Sequence, residues 1–395
     1  MRIERRQELS PRRTAGRGLK WAVYELARRP AKCFVLAAVA STVAAMPSVA
    51  EGSAFIGAFS KIGSIASMVP TSGPAKGDQN PYGVALVSRS VGALVRGDVL
   101  VSNFNNGQNQ QGTGASIMEV SPGGKVRVFA VVRRPTATRA VGLTTALVML
   151  RGGYVIVGSL PAPGGSSSAA RAGALTVLNS RGHVVRTISG ADISGPWDMT
   201  ALDGGNQAVL FVTNVLNGTV AAKGKDVRRG TVVRITLSLP SGHTPVVTSN
   251  RVIATGFTEH TDPNALIVGP TGVGFGSHGT LYVADSSTNR IAAVPHALTR
   301  GSILRGGGQT VAKGGALNHP LGLAIVPNGD IVTVNGADGN AVETTPSGHT
   351  AATKTLVANG AGDLFGLALA PSGAGIYFVD DAGSGPAANS LQLLH

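Results

Sequence analysis

A short motif that recurs six times constrains the fold more than any other feature of the chain. Each copy places Gly, or once Asp, ahead of a short apolar run, and a Gly-containing turn follows. The copies are Pro81-Tyr-Gly-Val-Ala-Leu-Val87, Ala140-Val-Gly-Leu143, Pro196-Trp-Asp-Met199, Pro270-Thr-Gly-Val-Gly-Phe275, Pro320-Leu-Gly-Leu-Ala-Ile-Val326 and Leu364-Phe-Gly-Leu-Ala-Leu369. A β-branched and aromatic run then ends in a short polar residue, and further strand-like segments complete each unit. Four antiparallel strands repeated radially predict an all-β, six-bladed β-propeller.

The two ends of the chain predict how the ring closes. The last unit has three strands, whereas residues 61–69 resemble the fourth strand of the other units. We therefore expect the N-terminal strand to complete the C-terminal blade, which removes an exposed sheet edge. The expected blades are 81–131, 141–190, 196–256, 270–315, 320–359, and 364–395 plus 61–69. Gly-, Ser- and Pro-rich insertions, expected to be surface loops, lie at 105–114, 161–173 and 238–250.

Residues 1–50 have the pattern of an export signal. Arg28, Arg29 and Lys32 precede an uncharged stretch from Cys33 to Ala50, which ends in small residues. This order predicts a signal peptide cleaved near Ala50, with the Sec and Tat routes both open. An uncleaved anchor is the alternative, because the uncharged stretch has the minimum length for spanning a bilayer. We favour cleavage, which leaves residues 51–395 as one propeller in the periplasm or outside the cell, with no stable membrane span.

The charge and cysteine content exclude several classes of function. The net charge is +14, but half of the excess lies within the first 32 residues, and the other basic side chains are scattered without interleaved aromatic residues. A nucleic-acid-binding surface has a different pattern. The single Cys excludes a disulfide framework and a Cys-rich metal site. We expect a monomer whose partner is a small molecule, a glycan or a protein of the cell envelope.

The fourth copy of the motif resembles an NHL repeat. It runs Pro270-Thr-Gly-Val273, a turn, Tyr282-Val-Ala-Asp285 and then Asn289-Arg-Ile291. By shape, residues 51–395 as a whole resemble the six-bladed NHL and gluconolactonase-like (SMP/LRE-like) superfamily. The resemblance implies the propeller fold, but it implies no single function, since this scaffold hosts hydrolases, lyases and binding modules.

The resemblance also implies where a divalent cation would bind. Lactonases of the superfamily hold one with Glu, Asn and Asp at the residue before the Gly that opens an innermost strand. The equivalent positions, which carry neither carboxylates nor amides, are Tyr82, Val141, Trp197, Thr271, Leu321 and Phe365. Because a hard cation needs converging oxygen ligands, these positions predict no metal site and no cofactor.

Three aromatic side chains on these positions suggest another use of the channel mouth. Tyr82, Trp197 and Phe365 are expected to surround it. They either plug the channel as core, or they line an apolar or carbohydrate-stacking site with Asp198 as its polar anchor. Both interpretations stay open at the level of sequence.

A second ring of candidate residues is polar. The short side chains that end the second strands are Asn103, Ser159, Asn214, Asp285, Asn335 and Asp380. We expect them on the same face as the channel mouth. They either hydrogen bond to nearby backbone groups, as Asn and Asp do in turns, or bind a ligand directly. Ca²⁺ coordination is the form of direct binding considered near Asp285, Asp380 and Asp381.

The sequence thus favours an exported module that binds a ligand or a protein through its channel-mouth face. The candidate ligand-binding residues are Tyr82, Trp197, Asp198, Thr271, Phe365, Asn103, Asn214, Asp285, Asn335 and Asp380. The alternative is a divergent lactonase- or esterase-type hydrolase, or a lyase, that uses Asp198, Asp285, Asp380 or Asp381 with His260 or His319. No Gly-x-Ser-x-Gly elbow is present, so no catalytic residue is assigned. A structural protein of the envelope is a third possibility, suggested only by the Gly-rich insertions.

Overall fold

Six antiparallel sheets make up the protein in a computed structural model that describes residues 53–133, 141–382 and 388–395. Each innermost strand contacts its counterpart in the next sheet, and the sixth contacts the first, so the sheets form a closed ring. The prediction of a six-bladed β-propeller is therefore confirmed. The predicted signal peptide lies outside the described residues.

The blades are numbered 1 to 6 in chain order, and a strand that precedes them all is β1 (Ile62–Ser67). Blade 1 contains β2 (Gln79–Leu86), β3 (Val99–Asn105), β4 (Ser116–Val120) and β5 (Val126–Val131). Blade 2 contains β6 (Leu143–Met149), β7 (Val155–Ser159), β8 (Ala174–Leu178) and β9 (Val184–Ile188). Blade 3 contains β10 (Gly195–Asp203), β11 (Gln207–Val215), β12 (Val227–Ser238), β13 (Val246–Asp262) and a short fifth strand, β14 (Leu266–Val268).

The other three blades have no fifth strand among their described residues. Blade 4 contains β15 (Pro270–Phe275), β16 (Leu281–Asp285), β17 (Arg290–Val294) and β18 (Gln309–Lys313). Blade 5 contains β19 (Pro320–Ile325), β20 (Ile331–Asn335), β21 (Asn340–Thr344) and β22 (Thr350–Thr355). Blade 6 contains β23 (Leu364–Leu369), β24 (Ile376–Asp380) and β25 (Ser390–Leu394). The helical segments are short: α1 (Thr219–Ala222) and 3₁₀ turns at Ile56–Ala58, Pro163–Gly165, Ser167–Ala169, Ser277–Gly279, Ser286–Thr288 and Pro371–Gly373.

The ring closes as the sequence predicts. Strand β1 pairs antiparallel with β25, so that Ile62 lies opposite Leu394 and Ser67 opposite Ser390. The segment before β1 is anchored to blade 5 by the buried Glu343, whose carboxylate accepts the main-chain N–H groups of Phe55 at 2.7 Å and Ile56 at 2.8 Å. Pairing the two ends of the chain leaves blade 6 with the same four strands as its neighbours.

The core lies between neighbouring blades, and burial follows the position of each strand in its sheet. Middle strands such as β7, β8, β16 and β17 are buried along their whole length, because a blade stands on either side of them. The outermost β22 alternates between exposed and half-buried residues, as a strand with one solvated face does. One cluster joins blades 2 and 3, with Ile156 from the former and Leu210 from the latter.

One predicted loop is shorter than expected. Residues 239–245 of the insertion at 238–250 form a loop, whereas Ser238 and residues 246–250 belong to β12 and β13, which extend into a long hairpin that pairs Ser238 with Val246. The run Val246-Val-Thr-Ser249 is rich in β-branched residues, which favour a pleated strand, and a hairpin needs only a short turn between its strands. Gly and Pro near the turn had suggested a longer irregular segment.

No helix among the described residues is long and apolar enough to span a bilayer.

Candidate ligand-binding site at the channel mouth

The pairing of the first two strands in each blade brings both predicted rings to one face. We call the positions of Tyr82 and its equivalents the first ring, and those of Asn103 and its equivalents the second ring. In five blades the residue just before the first-ring position pairs with the second-ring residue. These pairs are Pro81–Asn103, Pro196–Asn214, Pro270–Asp285, Pro320–Asn335 and Leu364–Asp380. The innermost strands therefore begin where the second strands end, and we call this side of the ring the mouth face.

Blade 2 departs from the register that the motif suggested. Leu143 pairs with Ser159 and Leu147 with Val157, so three residues separate the paired positions where the other blades have two. Thr144, and not Val141, therefore occupies the first-ring position of this blade. Gly142 precedes β6 and has a φ of 61°, so this glycine belongs to a turn and does not open the innermost strand. The extra residue is a bulge, which the sequence motif could not reveal.

Four aromatic rings lie across the mouth, and we call them the aromatic layer: Tyr82, Phe104, Trp197 and Phe365. Tyr82 stacks between Phe104 and Phe365, with ring centroids 4.4 and 4.1 Å apart. Trp197 lies edge-on to Tyr82 at 6.1 Å and to Phe104 at 5.8 Å. Tyr82, Phe104 and Trp197 are at most 4% exposed, whereas Phe365 is half-buried. The three predicted aromatic residues thus contact one another and form packed core together with Phe104.

The loops of blades 2 and 3 pack against part of this layer. Ala162 and Ala170 from the second insertion join the same apolar cluster as Trp197, and so do Leu266 and Ile267 of blade 3. The rest of the mouth face holds a cavity of about 310 Å³, which we call the mouth pocket.

The mouth pocket has an apolar floor and amide walls. Its floor includes Tyr82, Leu321 and Phe365. Its five amide side chains are Asn80, Asn105, Asn109, Gln111 and Asn264. The Nε2 of Gln111 donates a hydrogen bond to the main-chain oxygen of Asn264 at 2.6 Å, which joins the first insertion to the loop before β14. Asp381 is the one carboxylate that lines the pocket, and His319 also lines it.

Two of the amides are buried with unpaired oxygens. Asn80 is 8% exposed and Asn105 is 2% exposed, and the Oδ1 of each has no hydrogen-bond partner among the described residues. Their positions are fixed by other contacts. The Nδ2 of Asn105 donates to Oδ1 of Asn109 at 2.7 Å, and the main-chain N–H of Asn80 donates to Oδ1 of Asn389 at 2.5 Å. Both oxygens are themselves inaccessible to solvent, so they belong to the packing behind the pocket wall and not to its open surface.

Electrostatics at the pocket are dominated by Asp381. Burial raises its pKa to about 7, and the neighbouring carboxylates of Asp363 and Asp380 add to the shift. Its main-chain N–H donates to the carbonyl oxygen of Asp363 at 2.8 Å, which holds the two residues together. Burial and the charge of Asp381 also raise the pKa of the Tyr82 hydroxyl. The pocket therefore holds a carboxyl that can exchange a proton near neutral pH.

The second ring lies beside the mouth but does not line the pocket. Each of its predicted members is at most 2% exposed and is engaged in contacts that tie strands to adjacent segments. Asn103 donates to the carbonyl oxygen of Met68 at 2.8 Å, and Asn335 accepts the main-chain N–H of Asn318 at 3.1 Å. These two contacts reach backbone groups 35 and 17 residues away, so they tie separate segments together, whereas Asp380 makes the local contact of a turn residue by accepting the N–H of Ala382 at 2.8 Å.

The acidic members of the ring are also paired. Asp285 forms a buried ion pair with Arg290 at 2.9 Å, and Asp380 accepts a hydrogen bond from Gln392 at 2.7 Å. Asn214 donates from its Nδ2 to the carbonyl oxygen of Val212 at 3.4 Å. Neither carboxylate faces the mouth pocket.

The remaining predicted residues lie at different places and do not form one site. Thr271 is buried, and its hydroxyl lies 2.9 Å from the hydroxyl of Ser286. Asp198 lies beyond the aromatic layer and lines a separate cavity along the axis of the ring, not the mouth pocket. His260 contacts Asp226 at 2.9 Å. No group of three or more His, Cys, Asp or Glu side chains arranged to hold a metal ion occurs in the part of the chain that the structure describes.

Sequence reasoning missed the five amides of the pocket. One of them, Asn80, directly precedes the first copy of the motif. Three more come from the first insertion, which begins Asn105-Asn-Gly-Gln-Asn-Gln-Gln111. This dense run of amides is a signal that could have been used. The fifth, Asn264, lies 153 residues from its partner Gln111, and only the ring brings them together.

Comparison with known proteins supports the fold. No protein-family model matches the chain, and no curated protein matches it. Among solved structures, a gluconolactonase from Xanthomonas campestris is similar at a TM-score of 0.50 and 13% identity, over 80% of this chain and 86% of that one. A PQQ-bound aldose sugar dehydrogenase from Streptomyces coelicolor has a TM-score of 0.51 and 13% identity, over 84% and 97%. The calcium-binding protein regucalcin from Agrobacterium tumefaciens has a TM-score of 0.50 and 13% identity, over 80% and 89%.

The fold and the site define a six-bladed β-propeller with a small amide-walled pocket at one end of its axis. In structure it is similar to the gluconolactonase-like propellers. At 13% identity this similarity describes the scaffold, so function has to be argued from the pocket itself.

Proposed function

We propose that the protein is a binding module that takes a small polyhydroxylated ligand, such as a mono- or disaccharide, in its mouth pocket. The observation that carries the proposal is the combination of five amide side chains with an apolar floor in a cavity of about 310 Å³. That volume lies at the lower end of the range of small-molecule sites, which are typically mostly apolar with a few placed polar groups.

The chemistry of the walls favours hydroxyl groups over ions. An amide both donates and accepts hydrogen bonds, and so does a hydroxyl, whereas a carboxylate or phosphate only accepts. No Lys or Arg is among the described residues that line the pocket, and an anion would meet Asp381. The half-buried ring of Phe365, beside Leu321, offers an apolar surface to the C–H face of a sugar ring.

Calorimetric titration with a panel of neutral mono- and disaccharides tests the proposal. We expect at least one to bind with 1:1 stoichiometry, and Gln111→Ala and Asn264→Ala each to weaken it about twofold to tenfold, because one net hydrogen bond contributes about 0.5–1.5 kcal/mol. Asn206→Ala is the matched control, since Asn206 is an exposed amide in the β10–β11 turn at the other end of the blades. Absence of binding by every saccharide, or equal losses in all three variants, would contradict the proposal.

Acid–base chemistry at Asp381 is a second candidate function. A carboxyl with a pKa of about 7 in a ligand pocket suits a general acid or base of a divergent lactonase- or esterase-type hydrolase, or of a lyase. Screening lactones and esters tests it. Asp381→Asn is expected to abolish any turnover, whereas Asp285→Asn, a change outside the pocket, should leave the substrate KM unaltered. Turnover that survives Asp381→Asn would eliminate this role.

We also propose that residues 1–50 direct export and are removed near Ala50. The basic region and the uncharged stretch after it support this proposal. N-terminal sequencing of the protein recovered from its native compartment should begin at or near Glu51. Light scattering of the same sample should give the mass of a monomer, and an intact residue 1 would contradict the cleavage.

A further inference from the structure

A second cavity, distinct from the mouth pocket, lies along the axis of the ring. It has a volume of about 500 Å³ and is lined by the innermost strands β2, β6, β10, β15, β19 and β23. It shares no lining residue with the mouth pocket. Tyr82 and Phe365 lie on the floor of the mouth pocket, whereas the channel begins with Asp198 and Gly366, the residues that follow Trp197 and Phe365 in the chain. The aromatic layer therefore separates the two cavities, and we call this one the central channel.

The central channel is closed at the aromatic layer and opens at the other end. The lining residues farthest along each innermost strand from the aromatic layer are half-buried. They are Leu86, Met149, Ala201, Phe275, Ile325 and Leu369. Nearer the layer, Leu147, Met199 and Val273 are at most 4% exposed. Three residue steps of roughly 3.3 Å separate Asp198 from Ala201, so a volume of about 500 Å³ corresponds to a mean cross-section of about 50 Å². A channel of this cross-section is wide enough for an unbranched aliphatic chain.

The wall of the channel is apolar apart from strand edges and one acid. Each innermost strand is the last strand of its sheet, so its free edge turns unpaired backbone groups towards the axis. Among the lining residues Asp198 is the only charged one, and only Thr145 and Thr200 add hydroxyl groups. Asp198 is half-buried, and it lies at the closed end.

Asp198 stands where four of the other five blades use glycine, and blade 2 has Thr145 there. The equivalent residues of blades 1, 4, 5 and 6 are Gly83, Gly272, Gly322 and Gly366, as the strand pairings show. A Cβ at these glycines would lie 2.0–2.7 Å from neighbouring atoms, and in blades 4, 5 and 6 the nearest is a main-chain oxygen of the next blade. A side chain is thus costly at this position, and blade 3 nevertheless carries a carboxylate there.

The carboxylate is held rigidly but keeps capacity for a further partner. Its Oδ1 accepts the main-chain N–H of Met199 at 2.8 Å, and its Oδ2 accepts that of Val273, on the next innermost strand, at 3.2 Å. An ionised carboxylate accepts about four hydrogen bonds, so these two and the hydroxyl of Thr145 still leave room for another donor. Burial raises the pKa of Asp198 to about 7, because no cation compensates the charge.

We propose that the central channel binds a primary ammonium on an unbranched aliphatic chain, with the ammonium paired to Asp198 and the chain directed towards the open end. The aliphatic walls accommodate the methylene groups, and the ammonium supplies the positive charge and the donors that Asp198 lacks. An ion pair formed away from bulk water is stronger than one at the surface. This site is independent of the proposed function of the mouth pocket, on the opposite side of the aromatic layer.

Methyl NMR of the full-length protein labelled at methionine tests the proposal, with hexylamine as the probe. Met149 and Met199 line the channel, whereas Met68 and Met118 are buried elsewhere and serve as internal controls. We expect hexylamine to shift the first two methyl signals saturably and to leave the other two unchanged. Hexan-1-ol, which has the same length and no charge, should bind at least tenfold more weakly. No saturable shift at Met149 or Met199 would overturn the proposal.

Substitutions separate a ligand-binding role of Asp198 from a purely structural one. Asp198→Asn keeps one oxygen for the N–H group of Met199 and loses only the acceptor of the longer bond from Val273, so it should fold while losing at least tenfold in affinity for hexylamine. Asp198→Gly installs the residue that blades 1, 4, 5 and 6 carry and should show the same loss. Asp192→Asn, at an exposed turn, is the matched control and should bind like the wild type. Unchanged hexylamine affinity in both Asp198 variants would show that the acid only caps the strand edge.

The pH dependence of binding gives an additional readout. The groups that face the Asp198 carboxyl are the N–H groups of Met199 and Val273 and the hydroxyl of Thr145, and no lining residue from the other innermost strands is charged or titratable. Hexylamine stays protonated, so its affinity should rise as the pH increases from 5.5 to 8 and Asp198 ionises. A flat profile over this window would contradict pairing with Asp198.

Discussion

The replacement of Tyr82 by Ala removes the centre of the aromatic layer, and its cost can be worked from the structure. Tyr82 is 4% exposed and stacks on both faces, against Phe104 at 4.4 Å and Phe365 at 4.1 Å. A buried tyrosine removes about 200 Å² from water, which at about 25 cal/mol/Å² corresponds to about 5 kcal/mol. Alanine retains part of this, so we expect the free energy of unfolding to fall by about 3–5 kcal/mol.

Urea denaturation monitored by tryptophan fluorescence measures this change. The background should carry Trp21→Phe, so that Trp197, whose ring centroid lies 6.1 Å from that of Tyr82, is the only indole. We expect the emission of folded Tyr82→Ala to shift to the red, because water gains access to Trp197 through the opened layer.

Tyr82→Phe is the matched control, since it keeps the ring and loses only the hydroxyl. Its free energy of unfolding should stay within about 1 kcal/mol of the wild type, because the ring keeps its stacking on Phe104 and Phe365. A loss below about 1 kcal/mol in Tyr82→Ala, or an equal loss in Tyr82→Phe, would refute the role of the ring as packed core.

Three further predictions concern other parts of the ring. Glu343→Ala should lower the free energy of unfolding in urea by about 3–5 kcal/mol, because it leaves two main-chain N–H groups of the N-terminal segment without their acceptor. Glu343→Gln keeps one oxygen acceptor, and a larger loss in this variant than in Glu343→Ala would contradict the reasoning. Between pH 4 and 7 the folded Asp381 carboxyl keeps a proton that the unfolded one has lost, so the free energy of unfolding of the wild type falls as the pH rises. Asp381→Asn removes this fall, so the difference in free energy of unfolding between the variant and the wild type should be on the order of 2–4 kcal/mol more favourable to the variant at pH 8 than at pH 4. Equal pH profiles would exclude a raised pKa. Gly366→Ala should destabilise by more than about 2 kcal/mol in thermal unfolding, because its Cβ would lie 2.0 Å from a backbone oxygen of the next blade, whereas Gly123→Ala, with no atom nearer than 3.9 Å, should be nearly neutral.

The repeat made the fold predictable because each unit contains all the information for its own sheet. The period-two alternation and the turn residues define four strands per blade, and these signals act over a few residues. Closure by β1 followed from counting strands, since blade 6 would otherwise end with an unpaired edge. The pattern failed where a local signal had two meanings. Gly142 has the motif's spacing but serves a turn, and a bulge in β6 puts Thr144 in the place expected for Val141.

The candidate site was only partly predictable. The positions of Tyr82, Trp197 and Phe365 followed from the motif, because residues at equivalent positions in a closed ring face the same axis. Whether these rings leave a cavity or fill it depends on contacts among different blades, and Phe104 packs against Tyr82 and Trp197 without any mark in the sequence. Asp198 shares its motif with Trp197, but the next step along an innermost strand places it beyond the aromatic layer.

The sequence by itself determined the number of blades, the strand that closes the ring and the face on which the polar and aromatic rings lie, because these depend on periodicity along one strand or one hairpin. The tertiary structure alone decided that Gln111 meets Asn264 across the mouth, that Asp381 faces an amide-walled pocket, and that Asp198 ends a separate channel. These residues come from different blades and lie far apart in the chain. Their distances are set by the curvature of the closed ring and by side-chain packing at its axis, neither of which is written in any single repeat.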